Sequence, residues 1–307
     1  MKIKECRYGK MAYLPNDTYI GGSLEAYGEQ HETELQVLFQ LVKEGDTVID
    51  VGANIGTISI PMAKHVGISG KVISYEPQIG LYNLLSKNVE LNELTNIESH
   101  NSPVGRKSDL TVHIPQVDYE SDFNFGSVSM AKDSNGTPAK TICLDDLVEK
   151  ISKPSLIKID VEGMEDEVIL GAEKMINWAR PYIDLEFTDN HIAILHSLKK
   201  LGYEYKIFEP PLFNPDNFQD NKENVFGRHI VSLNIICWPS EKEFGIDSPW
   251  FPNIWKNTKP LNARHLEYRK YAIDFSEEYS PLNRILSKLT RVDLSTEQLA
   301  TPLINYL

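Results

Sequence analysis

Thr47-Val48-Ile49-Asp50-Val51-Gly52-Ala53-Asn54-Ile55-Gly56 joins a short apolar run to a turn bearing two glycines. The run, rich in β-branched residues, reads as a buried strand, and the turn reads as the passage from that strand into a helix. Upstream, Leu35, Leu38, Phe39 and Val42 share one helical face, and Gly45-Asp46 stops that helix. Downstream the pattern alternates. Helices are expected near 57–65, 81–91, 165–178 and 190–200, and strands at Lys71 to Glu76, around Ile97 to His100, Leu156 to Asp160, Tyr182 to Phe187, Tyr203 to Phe208 and Ile230 to Cys237. With Thr47 to Val51 that makes seven strands, and the alternation predicts an α/β fold: a mostly parallel sheet with helices on both faces.

Residues 1–33, rich in Tyr and Gly, read as an N-terminal arm, 34–239 as the main domain, and 240–307 as a C-terminal appendage. Val104 to Ala139 has no clear period, and Glu209 to Arg228 carries three prolines and four asparagines, too long for a plain connector. In the appendage Leu282, Ile285, Leu286 and Leu289 fall at helical spacing, a stripe that would dock on the core or on a second copy of the chain.

The chain has 307 residues and a formal net charge of -13, which disfavours broad attraction to nucleic acid. Cys6, Cys143 and Cys237 form no CxxC pair, so neither a zinc site nor a disulfide framework is expected. His31-Glu32 is followed at position 35 by Leu, which rules out the zinc-protease HExxH pattern. No stretch has the apolar length of a bilayer span and the first residues lack a signal-peptide core, so the cytoplasm is the expected compartment.

In the glycine turn, Gly52 permits a sharp bend and a close approach to a ligand, and Gly56 permits close packing at the helix start. Asn54 stands where dinucleotide sites often place glycine, and asparagine tolerates left-handed backbone angles. The turn is therefore GxNxG rather than GxGxxG. A pyrophosphate needs several backbone donors, whereas S-adenosylmethionine has no phosphate and presents an amino-acid end and a sulfonium. A tight turn without a ligand is the plainer alternative. Glu76, closing the next strand ahead of Pro77, is placed to accept hydrogen bonds from ribose hydroxyls, a role that suits either nucleoside cofactor. Asn101 and Ser102, past the third strand, are weaker candidates for adenine contacts.

Asp160 and Glu162 follow the fourth strand, where open parallel sheets bind ligands. An acid closing a buried strand needs a role or a partner, while Glu162 and Glu165 also fit as charges that complement a helix N-terminus. Methyl transfer to a hydroxyl requires proton removal, and Asp160, Glu186 and His191 are the candidates for it, unranked among themselves. Asp160 and Glu186 are expected to do more for positioning and proton removal than for holding the cofactor.

Taken in order, Tyr27-Gly28-Glu29, the DVGANIG turn, Glu76-Pro77, Thr141 to Leu147 (TICLDDL) and Ile157 to Glu165 (IKIDVEGME) resemble the FkbM family of S-adenosylmethionine-dependent methyltransferases, over roughly residues 25–237. The resemblance implies a Rossmann-like class I methyltransferase sheet and O-methylation of a hydroxyl on a sugar, glycolipid or related metabolite, with no required metal. It implies cofactor contacts at Gly52, Asn54 and Glu76, with Glu29, Asp50, Ala53, Gly56, Pro77 and Asp160 in the same segments, and an acceptor site near Asp160 and Glu162. The proline-rich loop, with Asn214, Asp216 and Asn217, is expected to be an acceptor loop, a lid or a structural plug. The competing expectations are a nicotinamide-dependent oxidoreductase and a non-enzymatic binding protein on the same fold. The partner expected is a small-molecule or glycan acceptor, with self-association through the appendage.

Overall fold

The computed structural model describes residues 1–128, 136–186, 191–227, 230–246 and Ser248; the side chains of His191 and Ile192 lie outside that description. In chain order the elements are β1 (Lys2–Cys6), β2 (Gly9–Tyr13), α1 (Ile20–Tyr27), α2 (Glu32–Leu41), β3 (Thr47–Val51), α3 (Ser59–Val66), β4 (Lys71–Tyr75), α4 (Ile79–Leu91), β5 (Ile97–His100) and β6 (Thr111–Pro115). They continue with β7 (Gly136–Lys140), β8 (Pro154–Ile159), α5 (Glu165–Leu170), α6 (Glu173–Ala179), β9 (Tyr182–Glu186), α7 (His191–Lys200), β10 (Tyr203–Phe208) and β11 (Asn234–Pro239).

Seven strands form one sheet in the order β10-β11-β9-β8-β3-β4-β5. The pairs β3 with β4, β3 with β8, β4 with β5 and β8 with β9 are parallel, and β11 alone runs against its two neighbours. The chain winds from β3 out to β5 and then returns to the other side of β3, so strand order reverses between β3 and β8. Ligands of such sheets bind outside the carboxyl ends of the strands at that reversal. The sheet is the mostly parallel, Rossmann-like one expected.

Strand alternation sets two different faces. Ile49, Val51, Ile73, Tyr75, Ile157, Ile159, Ile183 and Leu185 point into one cluster with Val168, Ile169, Met175, Ile176, Ile194, Leu195 and Leu198 from α5, α6 and α7. On the opposite face Asp50 lies level with Ser74 on one side and Lys158 on the other, and Lys158 with Asp184, so a polar row crosses four central strands. Helices α2 and α3 cover it, contributing Glu34 and Ser59.

Local differences from the expected elements have packing causes. The single helix expected near 165–178 is two, α5 and α6, because a Cβ at Gly171 would collide with the backbone of Gly105 and Arg106, and because the Met175 N–H is held by Asp145 Oδ1 at 2.9 Å. The stretch without a period contains the antiparallel hairpin of β6 and β7. Strand β11 begins at Asn234, and the expected start of that strand instead meets the proline-rich loop, with Leu212 N donating to Ile230 O at 2.9 Å and Ser232 N to Pro210 O at 2.9 Å. The N-terminal arm contains the β1–β2 hairpin and α1; Asn88 of α4 ties it to the core, accepting the Ala12 N–H at 2.6 Å and donating to Ala12 O and Ile55 O. Of the appendage, residues 240–246 pack at the sheet edge, where Phe244 stacks on Trp238 at 4.1 Å and Glu241 pairs with Arg180 at 2.7 Å. Its apolar stripe at 282–289 lies outside the described residues, and with it the expected self-association. No described helix is long and apolar enough to cross a membrane.

Candidate functional site

The glycine turn is held by its own backbone. Gly52 N and Ala53 N both donate to Tyr75 O at 2.9 Å, Asn54 N donates to Glu76 Oε2 at 2.9 Å, Ile55 N to Asn54 Oδ1 at 2.8 Å, and Gly56 N to Ala53 O at 2.8 Å. Every N–H from 52 to 56 is therefore engaged. Gly52 has φ 87° and Asn54 has φ 52°, the left-handed angle that asparagine accepts more readily than most residues. A Cβ at Gly52 would run into the carbonyl oxygen of Asp160, so the turn and the end of β8 abut directly.

Glu76 is buried, and its two oxygens accept one N–H each, from Asn54 at 2.9 Å and Gln78 at 2.8 Å. Each oxygen keeps a lone pair for a further donor. Burial, partly offset by those two N–H groups, pushes the carboxyl up to about 7. Asn101 donates to Glu76 O at 2.9 Å and Pro77 O at 3.0 Å, so its amide braces the turn after β4, and Ser102 is partly exposed beside it. Asp50 is buried; it accepts the Ser59 hydroxyl at 2.5 Å, and burial raises it to about 6. It lies beneath the turn rather than at its surface.

A cover over this region went unread in the sequence. Gln78 Nε2 donates to Phe125 O at 3.0 Å, Tyr119 OH donates to Gln78 Oε1 at 3.2 Å, and Gly126 lies against Asn54. Segment 119–127 thus closes on both the glycine turn and the Glu76 turn. Its sequence has no period that would have marked it.

At the ends of β8 and β9, Asp160, Glu162 and Glu186 each bring a carboxylate oxygen within 4.8 Å of the others, close enough to share a cation. Glu162 (φ 52°) and Gly163 (φ 92°) form a left-handed bend, and Glu165 Oε1 ties it by accepting Val161 N at 3.3 Å and Gly163 N at 3.1 Å. Burial first, then the neighbouring Asp160 charge, raises Glu162 to about 7. The same causes raise Glu186 to about 9, and its buried Oε2 has no hydrogen-bond partner. The His191 side chain lies outside the described residues.

Lys158 is the second group that sequence reading passed over. Its side chain is 3% exposed, and its ammonium lies 3.0 Å from Glu34 Oε1, 3.5 Å from Asp160 Oδ2 and 3.6 Å from Asp184 Oδ2. Burial opposes the ammonium, but the three carboxylates outweigh it and hold Lys158 well above its ordinary value. Burial would raise Glu34 too; Lys158 and His31, 3.1 Å from Glu34, outweigh it and hold that carboxyl low. Asp184 goes the other way, raised by burial that Lys158 only partly offsets.

Glu29 stands apart from these groups. It accepts Arg7 Nε at 2.7 Å, Phe218 N at 2.7 Å and Asn214 Nδ2 at 2.8 Å, which fastens the proline-rich loop to the arm. Asn217 donates within the loop to Asn214 O at 2.9 Å and Asn221 O at 2.6 Å, and Asp216 presents its carbonyl to Arg7. The amides of Asn214 and Asn217 thus engage the arm and the loop itself. Phe213 and Phe226 pack around Tyr27, 5.4 and 6.1 Å between ring centres.

A hexuronic acid methyltransferase, AglP, of Haloferax volcanii is 28% identical to this chain over 175 residues, which cover 55% of this chain and 69% of that one. Among solved structures, methyltransferase FkbM from Methylobacillus flagellatus superposes at 16% identity and a TM-score of 0.40, covering 62% of this chain and 43% of its own length. An S-adenosylmethionine-dependent O-methyltransferase from Thermotoga maritima does so at 15% identity and 0.37, covering 68% and 64%. The chain therefore spans less than half of the first structure, and the strand order described above carries the fold. Residues 50–205 match the methyltransferase FkbM domain, a span that takes in half of the chain and includes the glycine turn, Glu76, Lys158 and all three clustered carboxylates. The protein belongs to the FkbM methyltransferase family.

Proposed function

We propose that the protein is an S-adenosylmethionine-dependent O-methyltransferase acting on a hydroxyl of a sugar, glycolipid or related metabolite. The observation that carries the choice of cofactor is the backbone of the glycine turn: with every N–H from 52 to 56 engaged, the turn offers a pyrophosphate none of the donors that dinucleotide sites provide there. A phosphate-free nucleoside fits the same turn, and Glu76 retains acceptor capacity for its ribose hydroxyls. This weighs against the nicotinamide alternative. The carbohydrate assignment draws on the Haloferax relative, a hexuronic acid methyltransferase.

When bound, S-adenosylmethionine supplies an electrophilic methyl group on a positively charged sulfur. The protein's part is to hold the nucleoside, exclude water and take the acceptor's proton. Glu76 holds the ribose, and segment 119–127 covers it. Asp160, abutting Gly52 and ion-paired to Lys158, is suited to anchoring a cationic group, here the amino-acid end of the cofactor. Glu186, whose buried Oε2 has no partner, is the proton acceptor in its ionised form, which its raised proton affinity reserves for the upper pH range or for the complex with the positively charged cofactor. This shifts Asp160 from the proton-removal role that the sequence had equally allowed.

Calorimetric titration with S-adenosylhomocysteine, with NAD as the control, tests the reading. Binding in the micromolar range that Glu76→Ala weakens by roughly tenfold or more, with no heat from NAD, is expected. Binding of NAD alone would overturn it.

A further inference from the structure

Lys158 lies in the middle of the polar row on the covered face of the sheet, a place where an ordinary fold has apolar side chains. Its ammonium has three donors and three carboxylates around it, at 3.0, 3.5 and 3.6 Å. Two of these, Glu34 and Asp184, are 2% and 0% exposed, but the third, Asp160, is 32% exposed. A buried cluster serving only to fasten α2 to the sheet needs no opening. This one reaches solvent through Asp160, the residue that abuts Gly52 at the point where strand order reverses.

Burying an ammonium costs several kcal/mol before any pairing is counted, and apolar residues of similar volume commonly serve stability as well. What apolar residues cannot do is hold an exposed carboxylate in one orientation. We propose that Lys158 is a positioning residue: its ammonium, anchored from below by Glu34 and Asp184, holds the Asp160 carboxylate in place to receive the amino-acid end of the cofactor. The inference rests on the methyltransferase reading above and adds to it the group that prepares the anchoring site. Asn234, whose amide lies 3.4 Å from Asp184 Oδ1, completes the polar contacts at the far side of the cluster.

Lys158→Met alone would leave Glu34 and Asp184 buried without their cation and risks unfolding, so the working variant is Lys158→Met with Glu34→Gln, which removes the buried pair together. The probes are S-adenosylhomocysteine and 5′-methylthioadenosine, which keeps the adenosine and thioether and lacks the amino-acid end. The paired variant is expected to lose roughly tenfold or more in affinity for S-adenosylhomocysteine and less than about threefold for methylthioadenosine. Asp160→Asn is expected to show the same selectivity, and to add less than about twofold when placed in the paired variant, because the two changes remove one interaction. Unchanged S-adenosylhomocysteine affinity, equal losses for both probes, or a full additional loss from Asp160→Asn would each overturn the proposal. If the paired variant does not fold, Lys158→Met with Asp184→Asn, which leaves Glu34 its His31 partner, takes its place with the same two probes, and the same outcomes support or overturn the proposal. A wild-type protein that binds neither probe would overturn the methyltransferase reading itself, and this inference with it.

Discussion

Gly52 and Gly45 form a matched pair for testing how closely the glycine turn is built against Asp160. Their φ angles are 87° and 85°, a region where an added side chain costs roughly 1–2 kcal/mol. At Gly45 an added Cβ would have Ser69 Oγ at 3.6 Å, an ordinary contact, so Gly45→Ala incurs the backbone strain alone. At Gly52 the Cβ would stand 2.7 Å from the Asp160 carbonyl carbon and nearer still to its oxygen, so the turn and the end of β8 must separate by about an ångström. Overpacking of that kind adds roughly 1–3 kcal/mol, which puts Gly52→Ala at about 2–5 kcal/mol in total. At about 2–4 °C per kcal/mol for a domain of this size, the melting midpoint is expected to fall by about 4–20 °C for Gly52→Ala and about 2–8 °C for Gly45→Ala. The same displacement moves Asp160 relative to the turn and is expected to weaken S-adenosylhomocysteine by on the order of tenfold to a hundredfold, while Gly45→Ala leaves it unchanged. Scanning calorimetry and titration calorimetry on the two variants read both numbers. A Gly52→Ala protein that melts with Gly45→Ala and binds within about threefold of wild type would refute the reasoning.

Burial raises the Glu76, Glu162 and Glu186 carboxyls to about 7, 7 and 9, above the ordinary glutamate value of 4.5, so through that window the folded state holds protons that the unfolded chain releases. Their contribution to stability is complete at the acid end and is lost as pH rises, so the melting midpoint of the cofactor-free protein is expected to fall between about pH 5 and about pH 9. Glu186→Gln should flatten the upper part of that fall; a midpoint that rises across the range in wild type would contradict the assignment. At the arm, Glu29→Ala leaves the Phe218 N–H and the Asn214 amide without their acceptor and is expected to destabilise the loop by about 1–3 kcal/mol. Amide exchange in 214–227 should quicken while S-adenosylhomocysteine affinity stays within about threefold, and a loss of affinity in step with the loop would instead place Glu29 at the cofactor.

The sheet was legible because its strands are short apolar runs set between helical periods, and GxNxG marked the one turn where backbone geometry forces residue choice. Segment 119–127 was not legible: it closes the site through Gln78 and Phe125, contacts between loops without period or motif. The partners of Glu29 were not legible for a related reason. Its neighbourhood in sequence, beside Tyr27-Gly28, matches a family segment, yet its three hydrogen bonds go to Arg7 and to residues 214 and 218, partners that no local pattern announces. Lys158 had a signal that could have been followed. Asp50, Lys158 and Asp184 each interrupt an otherwise apolar strand, and in a parallel sheet with adjacent registers three such interruptions can meet. One charge in a buried strand is an anomaly; three of mixed sign in neighbouring strands are a network.

That network also accounts for how clustered acids can divide their work. Asp160 and Glu186 end adjacent strands, so separation alone does not distinguish them. The difference comes from below. Lys158 stands 3.5 Å from Asp160, whereas Glu186 has one oxygen with no partner and is raised chiefly by burial and by the Asp160 charge itself. An acid tied to a fixed cation is held in one orientation, as an anchor for a cationic ligand requires; a buried, partnerless acid beside a like charge binds its own proton more tightly. Moving the cation would therefore exchange more than one property. In the Lys158→Met, Glu34→Gln protein, Asp160 loses its partner, and the charge that burdens Glu186 is no longer fixed. The melting profile of that variant should then shift in the same pH range in which Glu186 titrates, a linkage that a cluster serving only as structural glue would not produce.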